Sequence, residues 1–379
     1  MIAAPPEAPA RHRRATLHPL RVAAVDVVTD DAVAIEFEVP AELAAEYEFI
    51  QGQHVSLRCA EAGDDIRRSY SICTAAGSGR LRVAVKCLPE GVFSTYARDR
   101  LRPGDVMEVV TPTGHFNTPI DATQARSYAM VAAGSGISPI LSIIATVLAR
   151  EPRSSVTLVY GNRTVGDIMF LEELEDLKNQ YPERFALYNV LSREEQDVEL
   201  FHGRLDGERI GIFLDSLVPP RDIDEWFLCG PRGMIDAARA QLVERGVDPM
   251  HIHFELFHSE SVETGRRGPT PATAGSALSG ADTAASVPAE VTIILDGRRS
   301  TFSLDRNGER VLDAALRVRA DAPYACKGGV CGTCRAKLVS GTVEMEQSYA
   351  LEQSEIEAGF VLACQSHPTS DRLILDFDQ

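Results

Sequence analysis

Positive charge is in short supply in this sequence relative to negative. Its 38 Lys and Arg stand against 55 Asp and Glu, a formal net charge of −17 over 379 residues. So acidic a chain has no bulk attraction for nucleic acid or anionic lipid, and neither is expected as a partner. An export segment is not expected either. Met1–Arg14 holds three prolines and the basic run Arg11-His12-Arg13-Arg14 but no apolar core. It reads as a mobile tail rather than a secretory signal, and a cytoplasmic location is expected. No internal repeat is visible. One uncharged stretch, Tyr128–Ala149, is long enough to span a bilayer. Gly134-Ser135-Gly136 and Ser138-Pro139 interrupt it, so a buried strand, a glycine turn and a buried helix explain it better.

Hydrophobic residues make up 44% and charged residues 25%, which predicts a packed core. The length suits two to three domains. Past the tail at 1–15, residues 16–122 show short strands (Arg21–Val28, Ala32–Glu38, His54–Cys59, Leu81–Cys87, Val106–Thr111) separated by turns. That pattern predicts an antiparallel β-barrel. Over 123–258, apolar runs at Tyr128–Ala133, Val156–Tyr160, Ala186–Leu191 and Glu225–Leu228 alternate with helical patterns at Ile140–Ala149, Phe170–Gln180 and Met234–Arg245. Alternating strand and helix predicts an α/β doubly wound parallel sheet. Residues 259–288 are rich in Gly, Ala, Ser, Thr and Pro and are expected to be a flexible linker. Residues 289–379 resume strand patterns.

The eight cysteines are Cys59, Cys73, Cys87, Cys229, Cys326, Cys331, Cys334 and Cys364. Half of them cluster near the C-terminus, which points to metal or redox chemistry rather than disulfides. Cys326, Cys331 and Cys334 form C-x4-C-x2-C, and Cys364 follows after a further 29 residues. This is the plant-type [2Fe–2S] spacing. Three thiolates come from one tight loop, where Gly328, Gly329 and Gly332 let backbone N–H groups approach the sulfurs. A structural zinc site is the competing reading, but zinc motifs favour two C-x2-C pairs over a triplet plus one.

In the barrel region, Arg68-Ser69-Tyr70-Ser71 supplies an aromatic face for an isoalloxazine ring and an arginine for a pyrophosphate. Twenty residues on, Gly91-Val92-Phe93-Ser94 offers a glycine and a helix start to phosphate, with Val85-Lys86 between. In the parallel-sheet region, Gly134, Gly136 and Pro139 follow a buried strand and open a helix, a second phosphate cradle. Cys229-Gly230-Pro231 closes a later strand of the same sheet. Arg163 and Ser192-Arg193 end two more strands, at the carboxyl ends where ligands of open α/β sheets bind.

Together these motifs resemble the ferredoxin–NADP reductase superfamily. The resemblance implies FAD stacked on Tyr70, with its diphosphate held by Arg68 and the Gly91–Ser94 turn. It places Cys229-Gly230-Pro231 beside the nicotinamide and Glu255 near both rings. Tyr70, Cys229 and Glu255 are thus the expected reaction residues. Ser192-Arg193 resembles the motif that grips a 2′-phosphate, implying NADPH, with NADH open because Glu194 could meet the ribose instead. The order of flavin barrel, nucleotide domain and C-terminal β-grasp ferredoxin domain differs from that of phenol- and methane-type oxygenase reductases. It is similar to the reductase subunits of phenylacetyl-CoA epoxidases, in Tyr160-Gly161-Asn162-Arg163-Thr164, His202-Gly203-Arg204-Leu205-Asp206-Gly207 and Ala363-Cys364-Gln365-Ser366-His367-Pro368. The implied partner is a di-iron oxygenase component that epoxidises phenylacetyl-CoA. Steroid-ring hydroxylase reductases share the domain order, and a redox-sensing protein is an alternative of another class.

Overall fold

The computed structural model describes residues 16–59, 66–257, 288–306, 308–351 and 353–379. The tail expected at 1–15 and the linker expected at 259–288, Pro288 apart, lie outside the described residues. The described residues from 17 to 257 form one compact unit and those from 288 to 379 another.

The first unit begins with six antiparallel strands: β1 (Leu17–Thr29), β2 (Ala32–Glu38), β3 (His54–Cys59), β4 (Ile66–Ser71), β5 (Leu81–Lys86) and β6 (Val106–Val110). Their order is β4-β3-β6-β1-β2-β5. Just past β4, Ile72 bridges Val83 of β5, so the outer strands meet and the sheet closes into a barrel. Alternation sends Val33, Ile35, Val55, Leu57, Val83 and Val85 into its core. Helix α1 (Val92–Asp99) adds Phe93, Tyr96 and Ala97 to the same core.

The chain then alternates β7 (Ser127–Ala133), α2 (Ile137–Arg150), β8 (Ser155–Asn162), α3 (Leu171–Gln180), β9 (Phe185–Leu191), α4 (Gly207–Ser216), β10 (Glu225–Gly230), α5 (Arg232–Glu244) and β11 (Ile252–Leu256). The sheet is wholly parallel, in the order β11-β10-β7-β8-β9. Chain direction across the sheet reverses between β7 and β10, and ligands of such sheets bind at the carboxyl ends beside that switch point.

The uncharged stretch is explained by burial. Helix α2 packs its isoleucines, all fully buried, in one core with sheet residues and with Ala32, Ala34, Cys73 and Ala84 of the barrel region. Its polar residues face that region too. Ser142 Oγ donates to the Thr74 carbonyl at 2.7 Å, and Thr146 Oγ1 accepts from the Ala76 N–H at 2.9 Å. Among the described residues no helix is long and apolar enough to cross a membrane.

The second unit is a mixed sheet of β12 (Ala289–Leu295), β13 (Arg298–Leu304), β14 (Arg335–Ser340), β16 (Phe360–Leu362) and β18 (Arg372–Asp376), in the order β13-β12-β18-β14-β16. A small pair, β15 (Val343–Met345) with β17 (Ser366–Pro368), lies outside it. Helix α6 (Val311–Val318) buries Val311, Leu312, Ala314 and Ala315 in the same core, the β-grasp arrangement. Helix α7 (Gln353–Glu357) precedes β16.

Candidate functional site

At the switch point the backbones of two loops touch. A Cβ on Gly136 would stand 2.2 Å from the Cys229 carbonyl oxygen, so no larger residue fits there. Gly134 has φ +54 and faces open space. The N-terminus of α2 carries no side-chain cap. The buried Ser138 hydroxyl in its first turn has no hydrogen-bond partner among the described residues. Open room at a helix start and an unpartnered hydroxyl together suit an anion such as a pyrophosphate. Tyr160 OH donates to the Gly134 carbonyl at 2.9 Å and steadies the turn. Pro139 is buried, Gly230 has φ +157, and exposed Pro231 leads into α5.

At the ends of β8 and β9, Ser192 N–H donates to the Asn162 carbonyl (3.0 Å) and Arg193 N–H to the Arg163 carbonyl (2.8 Å). The two loops are thus laced together, yet the guanidinium groups differ. Arg163 binds Asp31 at 3.1 Å and also Asp167. Arg193 is exposed. Glu194 accepts from the Val165 N–H at 2.9 Å, so its carboxylate is committed to the neighbouring loop. Lys86 joins the same cluster through Asp31 at 3.1 Å. Burial pushes the Asp31 carboxyl up, but the Thr29 hydroxyl, Lys86 and Arg163 outweigh it and hold it below its ordinary value. Lys86 and Arg163, both expected at cofactors, therefore share one carboxylate on the β1–β2 turn.

In the barrel, Tyr70 packs against Phe93 with ring centroids 5.3 Å apart. Burial raises its phenol pKa, so the ring stays neutral. Arg68 is exposed, and its guanidinium donates to the Arg67 carbonyl at 2.8 Å. Ser69 meets Ser56 across the strand pair at 3.0 Å. Val85 lies in the barrel core and Val92 on the surface. Ser94 turns inward: its hydroxyl donates to the Gly91 carbonyl and accepts from the Leu88 N–H, each at 3.2 Å.

The β3–β4 and β10–β11 pairs meet at Glu255. Ser71 Oγ donates to Glu255 Oε2 at 3.1 Å, and His54 Nδ1 lies 3.9 Å from Oε1. Glu255 pairs in register with Cys229. Burial, with the Glu255 charge adding to it, holds the Cys229 thiol well above its ordinary pKa and therefore neutral. Ser71, Cys229 and Glu255 are thus brought together, with Tyr70 one residue away. His54 was not read from the sequence. It opens β3 on the face opposite the core residues Val55 and Leu57, and it is 4% exposed there.

The second unit holds the four thiols. Among the described residues, no three His, Cys, Asp or Glu side chains gather as a single metal ion would need. The thiols lie in two pairs instead. Cys326 hydrogen-bonds Cys331, and Cys334 hydrogen-bonds Cys364. Two irons that take two thiolates each could draw on this set. Gly329 and Gly332 adopt φ +76 and +66, and the Gly328 N–H points at Cys326 Sγ at 3.3 Å. The buried Thr333 hydroxyl has no partner among the described residues, as fits a loop shaped around sulfur.

Comparison with known proteins matches the layout. Residues 19–118 match the oxidoreductase FAD-binding domain, 130–240 the oxidoreductase NAD-binding domain, and 293–369 the 2Fe-2S iron-sulfur cluster binding domain. One of the subunits of the 1,2-phenylacetyl-CoA epoxidase of Escherichia coli K12 is 44% identical over 96% of this chain and 98% of its own. The chain belongs to this family of oxygenase reductases. It is an oxidoreductase with FAD-, NAD- and 2Fe–2S-binding parts in that order. A more distant relative is the ferredoxin reductase component of the 3-ketosteroid-9-alpha-monooxygenase of Mycobacterium tuberculosis CDC 1551. It is 31% identical over 95% of this chain and 96% of its own. Phthalate dioxygenase reductase shares the fold, with a TM-score of 0.56, 22% identity, and coverage of 95% of this chain and 98% of that one.

The Ser71–Glu255 pair generates a kinetic expectation. A positioned proton-handling pair contributes at least about a hundredfold. Ser71→Ala and Glu255→Ala should each lower kcat for pyridine-nucleotide-driven ferricyanide reduction by about that factor, with little change in KM. If the two act as one chain, the double variant should cost no more than the worse single one. Wild-type kcat in both single variants would make the pair purely structural.

Proposed function

We propose that this chain is an NADPH-dependent reductase, acting in the cytoplasm, that delivers electrons one at a time to an oxygenase. The partner we assign is the di-iron phenylacetyl-CoA epoxidase. When bound, FAD supplies hydride acceptance and splitting of the electron pair, and the [2Fe–2S] cluster supplies single-electron carriage. The residues bind and orient. Tyr70 offers its ring face, while Arg68 and the Gly91–Ser94 turn hold the diphosphate of FAD. The Gly134–Gly136 turn and the uncapped start of α2 receive the pyrophosphate of NADPH. Ser71 and Glu255 hold or pass a proton at Ser71 Oγ, and Cys229 lines the site as a neutral thiol rather than a thiolate nucleophile. Cys326 with Cys331 takes one iron and Cys334 with Cys364 the other.

The observation that carries this reading is the match, in order, to FAD-, NAD- and 2Fe-2S-binding domains in a chain that also carries the nucleotide turn and the Ser71–Glu255 pair. A two-electron donor and a one-electron acceptor then share one polypeptide. The epoxidase partner rests on the 44% identity to one of that enzyme's own subunits, against 31% to the steroid monooxygenase component. NADPH over NADH is supported by Glu194, whose carboxylate is turned to the Val165 N–H, and by the exposed guanidinium of Arg193. An Arg fork binds a phosphate dianion in two-pronged fashion, whereas an acidic residue on the ribose marks NADH enzymes.

The partner is tested by mixing the protein, NADPH, oxygen and the remaining epoxidase components, which should consume phenylacetyl-CoA. Electron acceptance only by a steroid monooxygenase would transfer the assignment there. Cofactor choice is tested with Arg193→Ala. Hydrogen bonds to charged groups contribute about 1.5–3 kcal/mol, so kcat/KM for NADPH should fall about tenfold to a hundredfold while NADH is nearly unchanged. Arg163→Ala should affect both nucleotides alike, since Arg163 is held by Asp31 and Asp167. Equal losses in Arg193→Ala, or a wild type that prefers NADH, would overturn the NADPH reading.

A further inference from the structure

In the C-terminal unit the two segments that carry the thiols are joined by one side-chain amide. Gln365 is 2% exposed and closes the short turn that holds Cys364. Its Nε2 donates to the Lys327 carbonyl at 2.9 Å and to the Cys364 carbonyl at 2.8 Å, and lies 3.6 Å from Cys364 Sγ. Two amide protons thus face three acceptors, one of them sulfur. An acceptor that carries negative charge draws a hydrogen bond more strongly than a neutral carbonyl does.

The Lys327 end of this clasp is a backbone under constraint. Lys327 has φ +52, a left-handed conformation that residues with a Cβ disfavour. Its carbonyl accepts from Gln365 and also from Arg310 Nη1 at 3.3 Å. Two residues on, a Cβ at Gly329 would stand 3.0 Å from Gln365 Cγ, so the glutamine side chain packs directly beneath the loop. The loop bearing Cys326, Cys331 and Cys334 is therefore fixed against the Cys364 turn by this carboxamide together with the backbone bond from Ala363 N–H to the Cys334 carbonyl at 3.1 Å. The other polar group at this turn faces away: Ser366 Oγ donates to the Leu362 carbonyl.

We infer that Gln365 is a positioning residue of the iron–sulfur site, clasping its two ligand-bearing segments and presenting an N–H to the Cys364 sulfur so that the reduced cluster is favoured. The inference rests on the [2Fe–2S] reading above. One added electron increases the negative charge on the sulfurs, and N–H donors to those sulfurs stabilise that charge and raise the potential.

The test is a dithionite redox titration of the full-length, cluster-loaded protein. It is followed by electron paramagnetic resonance of the reduced cluster, in wild type, Gln365→Leu and Gln365→Glu. In Gln365→Leu, the reduced-to-oxidised ratio at a fixed potential should fall about tenfold, which is 59 mV for a one-electron couple. Gln365→Glu, which puts a like charge where a donor stood, should fall at least as far. The flavin midpoint should not move in either. A wild-type cluster midpoint and spectrum in any variant that loads would overturn the inference. If Gln365→Leu does not hold the cluster, Gln365→Glu gives the reading. Loss of the cluster from both, with the flavin spectrum and secondary structure intact, supports the clasp. A wild type with no [2Fe–2S] signal would overturn the functional reading itself, a result distinct from an unmoved midpoint.

Discussion

Helix α2 is buried on nearly every side, and the nucleotide and flavin sites both depend on that burial. Its isoleucines fill the space between the parallel sheet and the barrel, each contributing roughly 1.5–3 kcal/mol by leaving water. Because the helix cannot shift, its first turn is a fixed platform. Gly136 is pressed against the Cys229 carbonyl, Tyr160 anchors the Gly134 carbonyl, and Ser142 and Thr146 bond the chain between β4 and β5. The barrel residue Ser71 and the sheet residue Glu255 consequently meet at hydrogen-bond distance though 184 positions separate them.

Around that contact the ionisable groups are sorted by environment. The Cys229 thiol and the Tyr70 phenol are kept neutral by burial. The Asp31 carboxylate is kept charged by the cations it serves, and the cluster it forms with Lys86, Arg163 and Asp167 ties the β1–β2 turn to the end of β8. Arg193, on the next loop, is left out of that network. Neighbouring arginines thus differ: Arg163 ties the architecture together, and Arg193 is exposed.

Much of this was legible in the sequence where the signal is local. The parallel strands announce themselves as apolar runs because both faces are buried, and β7, β8 and β9 lie within a residue or two of where the runs place them. The cysteine spacing carried the 2Fe–2S reading because three ligands must come from one tight loop, and residues 293–369 match that domain. What escaped is long-range or masked by composition. Gly207 and Gly211 dilute the helical pattern of α4, and β11 reads as a polar motif because His253 and Glu255 interrupt it. That Asp31 pairs with both Lys86 and Arg163 is not visible near either of them in sequence. His54 and Gln365 draw their meaning from neighbours that only folding supplies.

The central claim is that electrons leave this protein through the cluster and not from the flavin. Cys331→Ser tests it most directly, because that thiol pairs with Cys326 in the middle of the ligand loop. The variant should keep its flavin and reduce ferricyanide with NADPH near the wild-type rate, while reduction of cytochrome c or of the oxygenase collapses. Cytochrome c reduction that stayed near wild type would contradict the account.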